Sequence, residues 1–174
     1  MADRRPERLE ALRRNLATSG LDALLVSSLP NVRYLTGFSG SSALLLVSAG
    51  GALFISDFRY KTQAAQEIGD LARVVIDDGS AWERLFALLP ELPGVTAVGF
   101  ESHILTARDA GRLAEPARPW RFQPTADIVE GLRAVKAPEE IQAVREAGAV
   151  ATAALELAAA AVRAGQSETE IAAL

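Results

Sequence analysis

Two apolar runs, residues 43–48 and 52–56, are joined only by Ala49-Gly50-Gly51. So short a connection with paired glycines can only reverse the chain, so the runs form a β-hairpin and the sheet of this molecule contains an antiparallel pair. The flanking sequence alternates. Upstream, Pro6 suits a first helical turn, Leu9, Leu12 and Leu16 recur at helical spacing, and Gly20 can take a left-handed cap, which predicts an amphipathic helix to about Ser19 and then a short buried strand over 22–27. Downstream the pattern predicts a helix from Asp57 to about Ile68, a strand over 71–76, a helix over 81–89, a strand over 95–100 and a helix over 107–113. Strands that alternate with helices imply parallel crossovers. Ser80 with Glu83, and Thr106 with Asp109, have capping-box spacing at two of these helix starts. Residues 120–122 can add a short strand, and Pro116, Pro119 and Pro124 on either side of it mark a change of character. The predicted architecture is a three-layer α/β domain, a mixed sheet with helices on both faces.

From Pro138 to Arg163 the sequence reads as one long alanine-rich helix, and Ser167-Glu168-Thr169-Glu170 as a capping box opening another. Only four residues follow that box, so Leu174 reads as a truncation point. Along the long helix, Ile141, Val144, Gly148, Ala151, Leu155, Ala158 and Val162 form one stripe, with Ala143, Val150, Ala154, Leu157 and Ala161 beside it. The combined apolar arc of roughly 200° is about twice what one buried face needs. Such a helix is expected to take partners on two sides, or to self-associate through residues 138–163 when they are missing.

Composition limits the chemistry. The 174 residues are 49% hydrophobic and 23% charged, which suits a chain that folds around a core. A net charge of −4 gives no surplus of cations for phosphates, which argues against nucleic acid and against an anionic membrane as main partners. No uncharged apolar run approaches the ~18 residues of a spanning helix. Arg4, Arg5, Arg8, Arg13 and Arg14 are interleaved with Asp3, Glu7 and Glu10, which reads as a charged helix and not a transit peptide. A soluble, cytoplasmic protein is expected. With no cysteine and one histidine, neither disulfides nor thiolate chemistry is available, and any metal must rest on carboxylates.

Each candidate motif has a structural reading beside its chemical one. Gly37-Phe38-Ser39-Gly40-Ser41-Ser42 leads into a strand where a phosphate loop leads into a helix, and it lacks both the loop lysine and the Gly-x-Ser-x-Gly order of a hydrolase elbow. His103 follows Glu101 just past a strand end, where α/β active sites gather, so a catalytic pair stands against an exposed loop histidine. Asp77-Asp78-Gly79 has a turn's composition, and Glu139 and Glu140 suit a helix N-terminus. Asp57-Phe58-Arg59-Tyr60 gathers an acid, a guanidinium and a phenol at a helix start. There Arg59 either pairs with Asp57 or awaits an outside carboxylate.

Taken together, Leu21-Asp22-Ala23-Leu24-Leu25-Val26, Asn31-Val32-Arg33-Tyr34-Leu35-Thr36-Gly37-Phe38-Ser39-Gly40 and Asp57-Phe58-Arg59-Tyr60 resemble the N-terminal domain of the creatinase, prolidase and Xaa-Pro aminopeptidase family. Gly131 to Ile141 is similar to that family's junction with the first helix of its catalytic pita-bread domain, with Ala137 where relatives usually carry a small polar cap. The resemblance implies a ribonuclease-H-like α/β domain over residues 1–131, with 132–174 as linker and first helices of a truncated pita-bread domain.

It further implies a parent metal-dependent Xaa-Pro peptidase, a hydrolase of short proline-containing peptides that uses two divalent ions, manganese, cobalt or zinc. No stretch after Lys136 matches the family's metal-ligand motifs, so this segment is expected to be inactive alone and to carry no catalytic or metal residue. In such relatives the N-terminal domain helps form a homodimer and overhangs the mouth of the cleft. Asn31, Tyr34, Phe38, Arg59 and Tyr60 match the motifs and fall on predicted loops or strand ends, making them candidates for the substrate entrance or the interface. Tyr34 and Phe38 equally suit closure of the core beneath the loop. The alternative parent is a pita-bread homologue that has lost its metal site and binds a peptide or protein partner.

Overall fold

Leu9, Leu12 and Leu16, set three and four residues apart, are all buried along one side of α1 (Arg5–Thr18), as their helical spacing requires. In the computed structural model, which describes residues 3–115 and 119–173, the chain divides into two units, Met1–Ala134 and Val135–Leu174. The first unit continues through β1 (Ala23–Val26), α2 (Leu29–Thr36), β2 (Leu44–Ser48), β3 (Gly51–Asp57), α3 (Lys61–Ile68), β4 (Arg73–Asp77), α4 (Ala81–Leu88), β5 (Ala97–Glu101), α5 (Ala107–Leu113), β6 (Arg121–Thr125) and α6 (Ile128–Ala134).

The strands form one six-stranded sheet in the order β4-β3-β2-β1-β5-β6. The hairpin is present, with Ser48 opposite Gly51 and Leu44 opposite Ile55. Strand β2 is antiparallel to both β3 and β1, whereas β3–β4, β1–β5 and β5–β6 pair in parallel. Five strands therefore run one way and β2 alone runs against them.

Both faces of the sheet are covered, which explains why the central strands are apolar without alternation. Leu24, Val26, Leu45, Val47 and Phe54 point into a core shared with α1, α2, α3 and α6. Ala23, Leu25, Leu44, Leu46, Leu53 and Ile55 point the other way, into a core shared with α4 and α5. The mixed three-layer architecture is thus the one the alternation of apolar runs predicts.

Two helices depart from the sequence reading. Residues 29–36 form α2 and not a loop, with Pro30 in its first turn and Gly37 ending it at φ 81°. Proline reads as punctuation in so short a segment, although its fixed φ also suits a first turn. Asn31 and Tyr34 consequently sit on a helix. Residues 128–134 form α6 directly after Asp127, whose φ of 58° turns the chain out of β6. Strand β6 runs to Thr125 and contains Pro124, which an edge strand tolerates because its missing N–H is not needed by a neighbour. Pro116 lies outside the described residues.

The second unit contains α7 (Pro138–Ala161) and α8 (Glu168–Ala172). Ala137 offers α7 no side-chain cap, and half of a capping box remains, in which its amide donates to Glu140 Oε2 at 2.9 Å. Ser167 and Glu170 close a reciprocal box at α8, the Ser167 amide donating to Glu170 Oε2 at 2.8 Å and the Glu170 amide to Ser167 Oγ at 3.4 Å. No residue of α7 is buried, and Val144, Val150, Leu155 and Leu157 are all exposed.

Candidate functional site

Because β1, β3, β4 and β5 run the same way, Ser27, Asp57, Asp77 and Glu101 emerge at the same end of the sheet. Open α/β sheets bind ligands at that carboxyl end. Two side-chain clusters are built there.

The first is centred on Glu101, the last residue of β5, which is 3% exposed. Its Oε2 accepts from the Ser27 and Ser28 amides at 2.7 Å each, and its Oε1 accepts from the Asn31 amide group at 2.6 Å. Pro30 and the first turn of α2 hold Asn31 in place for this contact. The same Asn31 nitrogen donates to Glu130, and Asn31 Oδ1 accepts from Arg133 at 2.8 Å. His103 Nε2 lies 3.2 Å from Glu130 Oε1. Burial pushes the Glu130 carboxyl up, but the hydrogen bond from Asn31 and the neighbouring His103 outweigh it and hold the group below its ordinary range. Glu101 and His103 therefore have different partners, and no Glu101–His103 pair forms. Among the described residues no buried side-chain polar atom lacks a partner, so this cluster is closed on itself.

The second cluster surrounds the glycine-serine loop. Phe38 is buried and packs edge-on to Phe54 and Tyr60, with ring centroids 4.8 and 5.4 Å away. Gly40 passes so close that a Cβ there would lie 2.3 Å from Phe38 Cζ and 2.7 Å from Tyr60 Cε1. Only glycine fits that approach. The Tyr60 hydroxyl accepts from the Ser41 amide at 3.2 Å and lies 2.6 Å from Ser41 Oγ. These two bonds lower the Tyr60 phenol from its ordinary value. Ser39 donates from its amide and hydroxyl to Glu67 at 2.8 and 2.7 Å. Ser39 thus ties the loop to α3, and Ser41 ties it to Tyr60 in the turn before that helix.

Asp57 closes β3 and caps the following turn, accepting from the Arg59 amide at 3.2 Å and bidentately from the Arg59 guanidinium at 2.8 and 2.9 Å. That guanidinium holds the Asp57 carboxyl down to about 2. Arg59 therefore pairs within the domain, and its guanidinium carbon also lies 5.2 Å from the Tyr60 ring centre. Phe58, which sequence reasoning passed over, is 63% exposed between them. No local signal separates it from Tyr60, an aromatic just past the same strand that packs inward on Phe38.

Of the five sequence candidates, the structure brings Phe38, Arg59 and Tyr60 together around one loop. Asn31 belongs to the Glu101 cluster. Tyr34, on the same helix, stacks under the Arg8 guanidinium at 4.1 Å, with its hydroxyl 3.3 Å from the Leu132 carbonyl. Asn31 and Phe38 have almost no exposed surface, while Arg59 and Phe58 are open to solvent. Among the described residues no group of three or more His, Cys, Asp or Glu is placed to hold a metal ion, so this donor set does not fit a two-ion centre.

A three-layer mixed sheet with one reversed strand, closed at its carboxyl end by a buried Asn–Glu cluster and a glycine-serine loop, defines a domain class with a sequence family of its own. Residues 8–135 match the model of the creatinase/prolidase N-terminal domain, and the chain belongs to that family. An uncharacterized peptidase of Bacillus subtilis (strain 168) is 35% identical over 144 residues, covering 83% of this chain and 40% of that protein. The Xaa-Pro dipeptidase from Bacillus anthracis superposes with a TM-score of 0.88 at 32% identity, over 96% of this chain and 46% of that one. The N-terminal domain of the cytoplasmic peptidase PepQ from Mycobacterium tuberculosis H37Rv superposes with a TM-score of 0.64 at 38% identity, over 72% of this chain and 98% of that one. The chain thus spans 40% of the first of these relatives and 46% of the second, and nearly the whole of the third.

Proposed function

We propose that this chain is the non-catalytic N-terminal part of a proline-specific metallopeptidase of the Xaa-Pro dipeptidase or aminopeptidase kind. Residues 1–131 form the domain, and 132–174 form the linker and entry helices of the catalytic region. The observation that carries the reading is the family match over residues 8–135. The parent hydrolyses short proline-containing peptides in the cytoplasm, using two divalent ions of manganese, cobalt or zinc held by residues other than these. No helix among the described residues is long and apolar enough to cross a membrane, which accords with that location.

Within this reading the domain contributes to a homodimer and to the rim of the catalytic cleft. Phe58 and Arg59 supply the exposed contact surface, Tyr60 and Phe38 hold it from beneath, and Asn31 and Tyr34 fix α2 behind it. The test is turnover of Xaa-Pro peptides of increasing length by the full-length parent with added manganese, beside residues 1–174 alone. Turnover by the parent only is the expected result. No turnover at any length or with any of the three metals overturns the peptidase reading in favour of a binding homologue, and turnover by residues 1–174 overturns the non-catalytic one.

A further inference from the structure

The two edges of the sheet differ in a way that bears on partners. At one edge β6 reads Arg121-Phe122-Gln123-Pro124-Thr125, and its proline removes a ladder donor, a common device against further pairing. At the other, β4 reads Arg73-Val74-Val75-Ile76-Asp77 and has a strand on one side only, β3. It has no proline, no lysine and no glycine, and its two charges, Arg73 and Asp77, stand at its ends. Val74 and Ile76 pack into one core and Val75 into the other, yet all three remain only partly buried, in contrast to the central strands. Such an edge presents a row of backbone N–H and C=O groups to whatever can pair with it.

The sequence of β4 is complementary to itself when reversed. If a second copy pairs antiparallel with Val75 opposite its own counterpart, Val74 falls opposite Ile76 and Arg73 opposite Asp77, twice. Because positions 73, 75 and 77 share a face, a two-fold axis normal to the sheet places each guanidinium and carboxylate on the same side. Arg73 already binds Glu91 at 2.9 Å, and Asp77 accepts from the Gly79 amide at 2.8 Å with Arg84 at 3.7 Å. A guanidinium with five donors and a carboxylate with about four acceptor sites keep capacity for the added pair.

We infer that β4 is a homodimerisation edge, across which a second copy of this chain extends the sheet to twelve strands through antiparallel β4–β4 pairing. This deepens the proposed dimer by naming its surface. Register is set by the reciprocal Arg73–Asp77 pairs.

The experiment combines sedimentation equilibrium of the full chain with hydrogen exchange of residues 73–77 as a function of concentration. R73D and D77R each place like charges opposite one another, and the double swap R73D/D77R restores both pairs with reversed sign. Circular dichroism verifies that each variant is folded. The expected result is protection of 73–77 that rises with concentration, a dimer weakened about tenfold or more in each single variant, and recovery to within about threefold in the double. A chain whose 73–77 amides gain no protection on concentration overturns the inference, as do single reversals without effect and a double swap that fails to recover. A dimer insensitive to all three variants overturns the β4 edge while leaving dimerisation and the peptidase reading intact.

Discussion

The Asn31 side-chain amide donates to Glu101 Oε1 at 2.6 Å, so one neutral side chain on α2 anchors a carboxylate buried at the end of β5, seventy positions later in the chain. The anchor is shared. Through Glu130 and Arg133 the same asparagine also reaches α6.

Removing it leaves a buried carboxylate short of a donor. Asn31→Ala is expected to lower unfolding free energy by about 2–4 kcal/mol, because a charged acceptor loses its hydrogen bond while staying desolvated. Asn31→Asp, which puts a third acid between Glu101 and Glu130, should cost more at pH 7 and recover on acidification. Urea denaturation at pH 5 and pH 7 measures both; a loss below about 0.5 kcal/mol for the alanine variant contradicts the anchoring role.

Gly40 is the tightest point of the glycine-serine loop. Gly40→Ala is expected to cost about 1–3 kcal/mol, since its methyl group must displace the buried Phe38 ring. The Ser41–Tyr60 contact should loosen with it, so the tyrosine phenol should return toward its ordinary value in an ultraviolet titration. An alanine variant of unchanged stability and titration would refute the packing account.

Asp57 makes stability depend on acid. Its carboxyl is held at about 2 against an ordinary 3.8, chiefly by the Arg59 guanidinium. A carboxyl lowered on folding adds stability that is complete above the ordinary value and is lost as pH falls through the folded one. Arg59→Ala should therefore lower stability modestly at pH 7 and down to about pH 4, leave it unchanged near pH 2, and so flatten the part of the curve between them. Thermal melts of both proteins across that range provide the comparison, and parallel curves would exclude the pair as a contributor.

The apolar side chains of α7 are exposed, as its alanine-rich double stripe leads one to expect. Replacing Leu155 and Leu157 together with glutamine is expected to reduce concentration-dependent light scattering of the chain, with a stability change within about 0.5 kcal/mol, since neither residue packs in a core. Undiminished scattering would show that association does not use this helix.

What the sequence determined alone was whatever local chemistry dictates. Ala49-Gly50-Gly51 permits only a reversal, Leu9, Leu12 and Leu16 define the buried side of α1, and Ser167 with Glu170 closes a cap; each depends on residues a few positions apart. The apolar runs likewise announced a sheet covered on both faces. Tertiary structure decided the rest. Helix α2 is short, and the proline in its first turn reads equally as a loop, so its helicity rests on Val32 and Leu35 being buried against the sheet. Whether Glu101 belonged with His103 could not be read from their two-residue spacing, because a strand end and the turn after it send neighbouring side chains different ways. Glu101 went to Asn31 and His103 to Glu130, partners separated by 70 and 27 positions, which only the folded chain brings within hydrogen-bonding distance.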